Sequence, residues 1–79
     1  MIIYGTKQCP DTQACLDAFE SKGRAVEFRC IENLPFLKEF LHYRDIDASF
    51  DTVKANGGVG IPLIVQDDGS LTFEWEKLL

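Results

Sequence analysis

A mixed α/β domain, with helices packed on the faces of a small sheet, is the fold class this sequence predicts, and three observations predict it. An apolar run, Met1-Ile2-Ile3-Tyr4-Gly5, leads into a helix-patterned segment and then into an alternating segment ending at Cys30. A strand, helix and strand at this spacing form a right-handed parallel unit. Near the other end, Leu63-Ile64-Val65 and Leu71-Thr72-Phe73 flank Asp68-Gly69, a hairpin signature that demands antiparallel pairing. Between the two units lie further amphipathic helical patterns. The order β-α-β-α-α-β-β therefore predicts a four-stranded mixed sheet flanked by helices. A chain of 79 residues holds one core, so residues 1–79 form a single domain.

The first strand covers residues 2–4, and a helix is expected over 10–22. Pro10 suits the first helical position, where its missing N–H costs nothing. Asp11 lies in the first turn, where its charge suits the helix dipole. Thr12, Cys15, Leu16 and Phe19 recur at three- and four-residue steps and mark the inward face, and Gly23 is the C-terminal cap. The second strand spans 25–30, with Val26, Phe28 and Cys30 alternating against Glu27 and Arg29. Asn33 reads as an N-cap with Pro35 behind it. Leu34, Phe36, Leu37, Phe40, Leu41 and Ile46 then give an amphipathic helix over 34–44. A shorter helix follows over 49–55, with Phe50 and Val53 inward. The glycine-rich loop 56–60 precedes a strand over 61–66 and the hairpin. Residues 74–79 form either a last helical turn or an extension of the strand.

Charge and composition exclude whole classes of function. The chain carries net charge −5 and no basic stripe, which disfavours nucleic acid and an anionic membrane surface as partners. No apolar run approaches the roughly 20 residues needed to span a bilayer. No signal-peptide pattern precedes the first strand, so the expected location is a reducing cytoplasm. Three cysteines cannot form a complete disulfide framework, and functional thiols are the better expectation there. His42 stands alone on a helix and Cys9 with Cys15 lacks zinc spacing, so no metal site is expected.

Cys9-Pro10-Asp11-Thr12 carries the chemistry. It places a cysteine at the turn between a strand and a helix N-terminus, where unpaired amide N–H groups and the helix dipole favour a thiolate. On the local pattern alone, Cys9 is either a reactive thiol or an ordinary buried cysteine near a turn. The Thr12 hydroxyl can reach back across one turn and donate to a Cys9 thiolate. Cys15 fails as a resolving partner: six residues of helix rise about 9 Å, whereas a disulfide requires Cα atoms within about 7 Å. It is expected to serve as a small core residue. Cys30 ends the second strand at the sheet edge that carries Cys9, and is read as a core-facing residue with a minor alternative as resolving thiol. Lys7 is either a solvated charge or a group that favours a thiolate or attracts a carboxylate.

Cys9-Pro10-Asp11-Thr12 after the first strand, Gly60-Ile61-Pro62 before the third and Asp68-Gly69 in the hairpin resemble, in that order, the glutaredoxin branch of the thioredoxin fold. The resemblance spans nearly the whole chain and is closest to small bacterial glutaredoxin-related proteins. It implies a thioredoxin fold with a cis Ile61–Pro62 peptide beside Cys9, and Ile61 backbone groups facing substrate. It implies a thiol–disulfide oxidoreductase in which Cys9 attacks mixed disulfides as a thiolate. Thr12 stands where dithiol relatives carry a second cysteine, so the intermediate is resolved by an external thiol. The expected site is then Cys9 and Thr12 for catalysis, with Lys7, Pro10, Ile61 and Pro62 on the substrate side. Thr6 occupies the family's lysine position, with Lys7 one step nearer the cysteine. Phe73-Glu74-Trp75-Glu76 stands where many glutaredoxins carry a glycine pair that receives glutathione, so glutathione is expected to bind weakly. No tightly bound cofactor is expected; glutathione or another small thiol would be a co-substrate. Small thiols or disulfide-bearing proteins are the expected partners of a monomer. Two alternatives from other classes are a non-catalytic binding module of the same fold, and an iron–sulfur carrier bridged by Cys9 in a dimer.

Overall fold

The computed structural model describes residues 1–79. Strand β1 (Ile2–Gly5) leads to helix α1 (Pro10–Ser21), and strand β2 (Glu27–Cys30) to helix α2 (Leu34–Ile46). A 3-10 turn at Ala48–Phe50 runs into helix α3 (Asp51–Ala55). Strands β3 (Leu63–Val65) and β4 (Leu71–Thr72) follow, and a 3-10 turn at Trp75–Leu78 ends the chain. The sheet has the order β2-β1-β3-β4. β1 pairs parallel with β2, and β3 pairs antiparallel with both β1 and β4. This is the four-stranded mixed α/β architecture expected.

Two clusters sandwich the sheet. Ile3 and Ile64 point to one face and pack with Cys15 and Phe19 of α1 and with Trp75. Tyr4, Leu63 and Val65 point to the other and pack with Phe40 of α2 and with Phe50. Alternation along β1 and β3 thus assigns each helix its side of the sheet. On α1, Thr12, Cys15 and Phe19 are all fully buried, as their spacing required.

Several boundaries depart from expectation for identifiable reasons. β2 begins at Glu27, whose N–H reaches the carbonyl of Met1; residues 25 and 26 lie beyond the end of β1 and find no partner. β3 begins at Leu63 because Pro62, just before it, has no N–H to give a ladder. α2 extends to Ile46, but Leu34, Leu41 and Ile46 are exposed rather than inward. A helix of 13 residues is about 20 Å long, whereas a four-residue strand spans about 13 Å. Only the central seam of α2 therefore meets the sheet. The tail is a 3-10 turn, not a strand extension, and it folds Trp75 back under α1.

No helix is long and apolar enough to cross a membrane.

Candidate functional site

The strand register gathers the site at one edge of the sheet. Gly5 ends β1 opposite Cys30 at the end of β2, because the two strands are parallel. β3 runs the other way, with Leu63 opposite Tyr4, so the Ile61–Pro62 turn that precedes it arrives at the same edge. The end of β2 at Cys30 and the loops carrying Cys9, Ile61 and Pro62 therefore arrive at one edge. Pro62 is buried and its peptide bond is cis.

Cys9 is the N-cap residue of α1, with extended backbone at φ −88° and ψ 119°, and Pro10 follows as the first helical residue. Its N–H donates to the carbonyl of Thr6 at 3.0 Å, closing the connection from β1 into a tight turn. Its side chain makes no capping hydrogen bond, so the donors at the helix terminus are unspent. They act on the thiol. The backbone N–H of Thr12 holds Cys9 below the ordinary value of 9.0; burial opposes this, and the Thr12 hydroxyl and the Asp11 N–H reinforce it. The charge of Asp11 works in the opposite direction.

Thr12 is fully buried, and its Oγ1 has no hydrogen-bond partner. Leaving a buried hydroxyl unpaired costs about 1–3 kcal/mol, so the position calls for an explanation. Gly5 supplies the packing half. A Cβ on Gly5 would sit 2.7 Å from both Cγ2 and Oγ1 of Thr12, so only glycine lets the threonine lie against the end of β1. The hydroxyl also lies where it helps to lower the Cys9 pKa.

The other two thiols are differently placed. Cys15 has no exposure, and burial pushes its pKa up to about 12, with the charges of Asp11 and Glu76 adding to the effect. Cys30 is half-buried and donates to Glu32 Oε2 at 3.4 Å. The same carboxylate accepts from Thr6 Oγ1 at 2.6 Å and from Gln8 Nε2 at 2.7 Å. Glu32 thus ties the loop that carries Cys9 to the end of β2, and the Thr6 hydroxyl foremost holds its own pKa low. Lys7 is exposed and enters no ion pair.

Sequence reasoning did not reach four contacts that shape the site. Glu32 is a hub only because parallel pairing sets residues 5–8 beside 30–32, a signal available once the βαβ unit is registered. Trp75 Nε1 donates to Asp11 Oδ1 at 3.3 Å, bringing the tail onto the first turn of α1. Arg44 donates to the carbonyls of Val59 and Gly58 at 3.1 and 2.9 Å, holding the loop that enters the cis turn. Gly60, at φ +95°, lies so close to Phe50 that a Cβ would meet its ring at 2.6 Å. Nothing local in sequence marks these contacts. A separate open cavity of about 560 Å3 lies between α2 and the sheet, lined by Tyr4, Arg29, Lys38, Glu39, His42 and Tyr43. Arg29 and Glu39 close its floor onto the Tyr4 hydroxyl, and it contains no thiol.

No family model matches the chain. No solved structure matches it either. A protein of Haemophilus influenzae, described as an uncharacterized protein, is 35% identical over 78 residues, covering 98% of this chain and 91% of that protein. With a likeness of that extent running through nearly all of both chains, this chain belongs to the same family as the Haemophilus influenzae protein.

Proposed function

We propose that this chain is a glutaredoxin-like thiol–disulfide oxidoreductase of thioredoxin-like fold, with Cys9 as its single nucleophilic thiolate. The observation that carries the reading is the setting of Cys9: an uncapped helix N-terminus whose amides, with the buried Thr12 hydroxyl, hold the thiol pKa below 9.0. The sheet order β2-β1-β3-β4 and the cis Ile61–Pro62 turn at the same edge support the fold assignment. In the reaction, the Cys9 thiolate attacks one sulfur of a disulfide R–S–S–R′ and R′–S⁻ departs. The mixed disulfide Cys9–S–S–R then meets an external thiolate, which forms a disulfide with the R sulfur and returns Cys9 as thiolate. Each turnover releases R′ as a thiol and carries R away as a mixed disulfide with one external thiol; a second external thiol exchanging with that product would complete the reduction. Amides and the Thr12 hydroxyl stabilise the thiolate both as attacking and as leaving group. Cys15, held near pKa 12 inside the core, takes no part.

The test is reduction of a small mixed disulfide by the purified protein with an external thiol in excess. Cys9→Ser is expected to bring the rate to that of the uncatalysed exchange, and Cys15→Ala to leave most of it. Turnover that survives Cys9→Ser, or a wild-type protein that accelerates no disulfide, would remove the proposal.

A further inference from the structure

The charges placed around Cys9 are lopsided. Asp11 lies two residues beyond it in the first turn of α1, with its carboxylate held by the indole N–H of Trp75. Glu32 is pinned to the loop before Cys9 by two side chains of that loop, Thr6 and Gln8. The tail acids belong to a different thiol: Glu76 acts on Cys15, and Lys77 offsets Glu74 at 2.8 Å. Against Asp11 and Glu32 stands Lys7, exposed and without a partner. Both carboxylates, Asp11 and Glu32, are held by hydrogen bonds from neighbouring side chains.

We propose that the Cys9 site selects disulfides by charge: it takes disulfides carried on cationic molecules and turns away anionic ones such as oxidised glutathione. The inference rests on the thiol–disulfide reading above and names the substrate class of that same site. A cationic half-cystine next to the attacked sulfur meets Asp11 on the helix side and Glu32 on the loop side. An anionic one meets the same groups with the opposite sign. The step itself is unchanged: Cys9–S bonds to the nearer sulfur, the S–S bond breaks, and the distant thiolate leaves.

The experiment compares the reduced protein's rates with cystamine, bis(2-hydroxyethyl) disulfide and oxidised glutathione, each divided by the rate of 2-mercaptoethanol with the same disulfide to remove intrinsic reactivity. Each carboxylate acting across roughly 8 Å in a watery setting changes the rate for a unit charge by about two- to threefold. Cystamine is therefore expected to outpace oxidised glutathione by at least about tenfold at low ionic strength, with the neutral disulfide between them. The spread should shrink in molar salt, where the screening length falls to about 3 Å. Asp11→Asn and Glu32→Gln should each narrow the cystamine-to-glutathione ratio by about four- to ninefold, since the ratio compares charges of opposite sign. The ratio cancels any change in thiolate fraction or loop geometry that affects all three disulfides alike. A cystine peptide flanked by lysines that outpaces cystamine would point to a protein substrate, and the reverse to a small aminothiol; either order supports the selection by charge. Equal normalised rates, or a preference for oxidised glutathione, would overturn it while leaving the oxidoreductase reading in place. Failure of all three disulfides to react would overturn both.

Discussion

Cys9 and Cys15 sit six residues apart at the start and in the middle of one helix, and the fold treats the same side chain in opposite ways. Cys9 faces the sheet edge, half-buried, beneath amides that no carbonyl has claimed, and its thiol is drawn below 9.0. Cys15 faces the sheet itself among Ile3, Phe19, Ile64 and Trp75, where burial drives it to about 12. The difference is one of address. A helix terminus offers unpaired donors, whereas its interior has spent every N–H on a carbonyl. The acidity of the two thiols is therefore set by backbone geometry and depth, with charge as a smaller correction: Asp11 raises both, yet they end on opposite sides of the ordinary value.

The largest effect by which to break this comparison is chemical labelling. At neutral pH, iodoacetamide followed by mass mapping should modify Cys9 far ahead of Cys15, whose thiol is fully buried and raised to about 12 while that of Cys9 is lowered. Faster labelling of Cys15 in the folded protein would end the argument. The pH dependence of stability sharpens the contrast, because the two signs oppose. Cys9 has a folded pKa below its unfolded one, so its stabilising contribution is complete above 9.0 and is lost as pH falls through the folded value. Cys15, raised to about 12, contributes stability that is present below 9.0 and disappears as pH climbs toward 12. Tyr4, also raised to about 12 by burial and by its bond to Glu39, acts in the same sense above pH 10. Urea melts between pH 8 and 11 should show stability declining at the alkaline end. Cys15→Ala should flatten that decline while costing about 1–2 kcal/mol near neutrality, the size of a modest core truncation.

A substitution outside the helix tests whether the Cys9 environment depends on the end of β1. Gly5→Ala places a methyl 2.7 Å from Thr12 Cγ2 and Oγ1, closer than nonbonded atoms tolerate. Relief requires Thr12 or the strand to shift, at a cost of about 1–3 kcal/mol. The loss should appear in the denaturation midpoint, and the midpoint of Cys9 alkylation should rise with it as the hydroxyl is displaced. A stability loss with an unchanged Cys9 titration would detach Thr12 from the thiol.

The sequence carried the four-stranded mixed sheet, with its parallel unit and closing hairpin, and the place of Cys9, because these rest on local signals; the order β2-β1-β3-β4 came from the structure. The 3.6-residue spacing of Thr12, Cys15 and Phe19, the Asp68-Gly69 turn and Pro10 behind Cys9 each act within a few residues. It carried less of the cover on the sheet. Leu34, Leu41 and Ile46 satisfy a helical pattern yet lie exposed, since periodicity shows a face but not how far the sheet extends beneath it. It carried least of the contacts that complete the site. Glu32 reaches Thr6 and Gln8 across 26 and 24 residues, and Trp75 reaches Asp11 across 64. Such contacts follow only from the register of strands and the course of the tail.

The smallest expected effect is the most discriminating, because it sets stability against reactivity at a single atom. Thr12→Val keeps the branched shape that fits against Gly5 and removes the hydroxyl. If Oγ1 were structural, its removal would cost stability. Oγ1 is instead buried without a partner, so replacing it with a methyl removes an unpaired polar group from the core. The variant should therefore be as stable as the parent, or more stable by about 1 kcal/mol, in urea denaturation. Cys9 should pay the difference. Deprived of one of the donors that hold its thiol down, it should titrate at higher pH and exchange more slowly, by a few-fold at neutral pH. The backbone amide of Thr12, the largest influence on the thiol, survives the substitution, which keeps the effect modest. Thr12→Ser restores the hydroxyl and should restore the titration, although the lost methyl leaves a small void beside Gly5. A Thr12→Val protein that is destabilised and titrates like the parent would show that the threonine serves packing alone, and that the amides of α1 account for the whole shift.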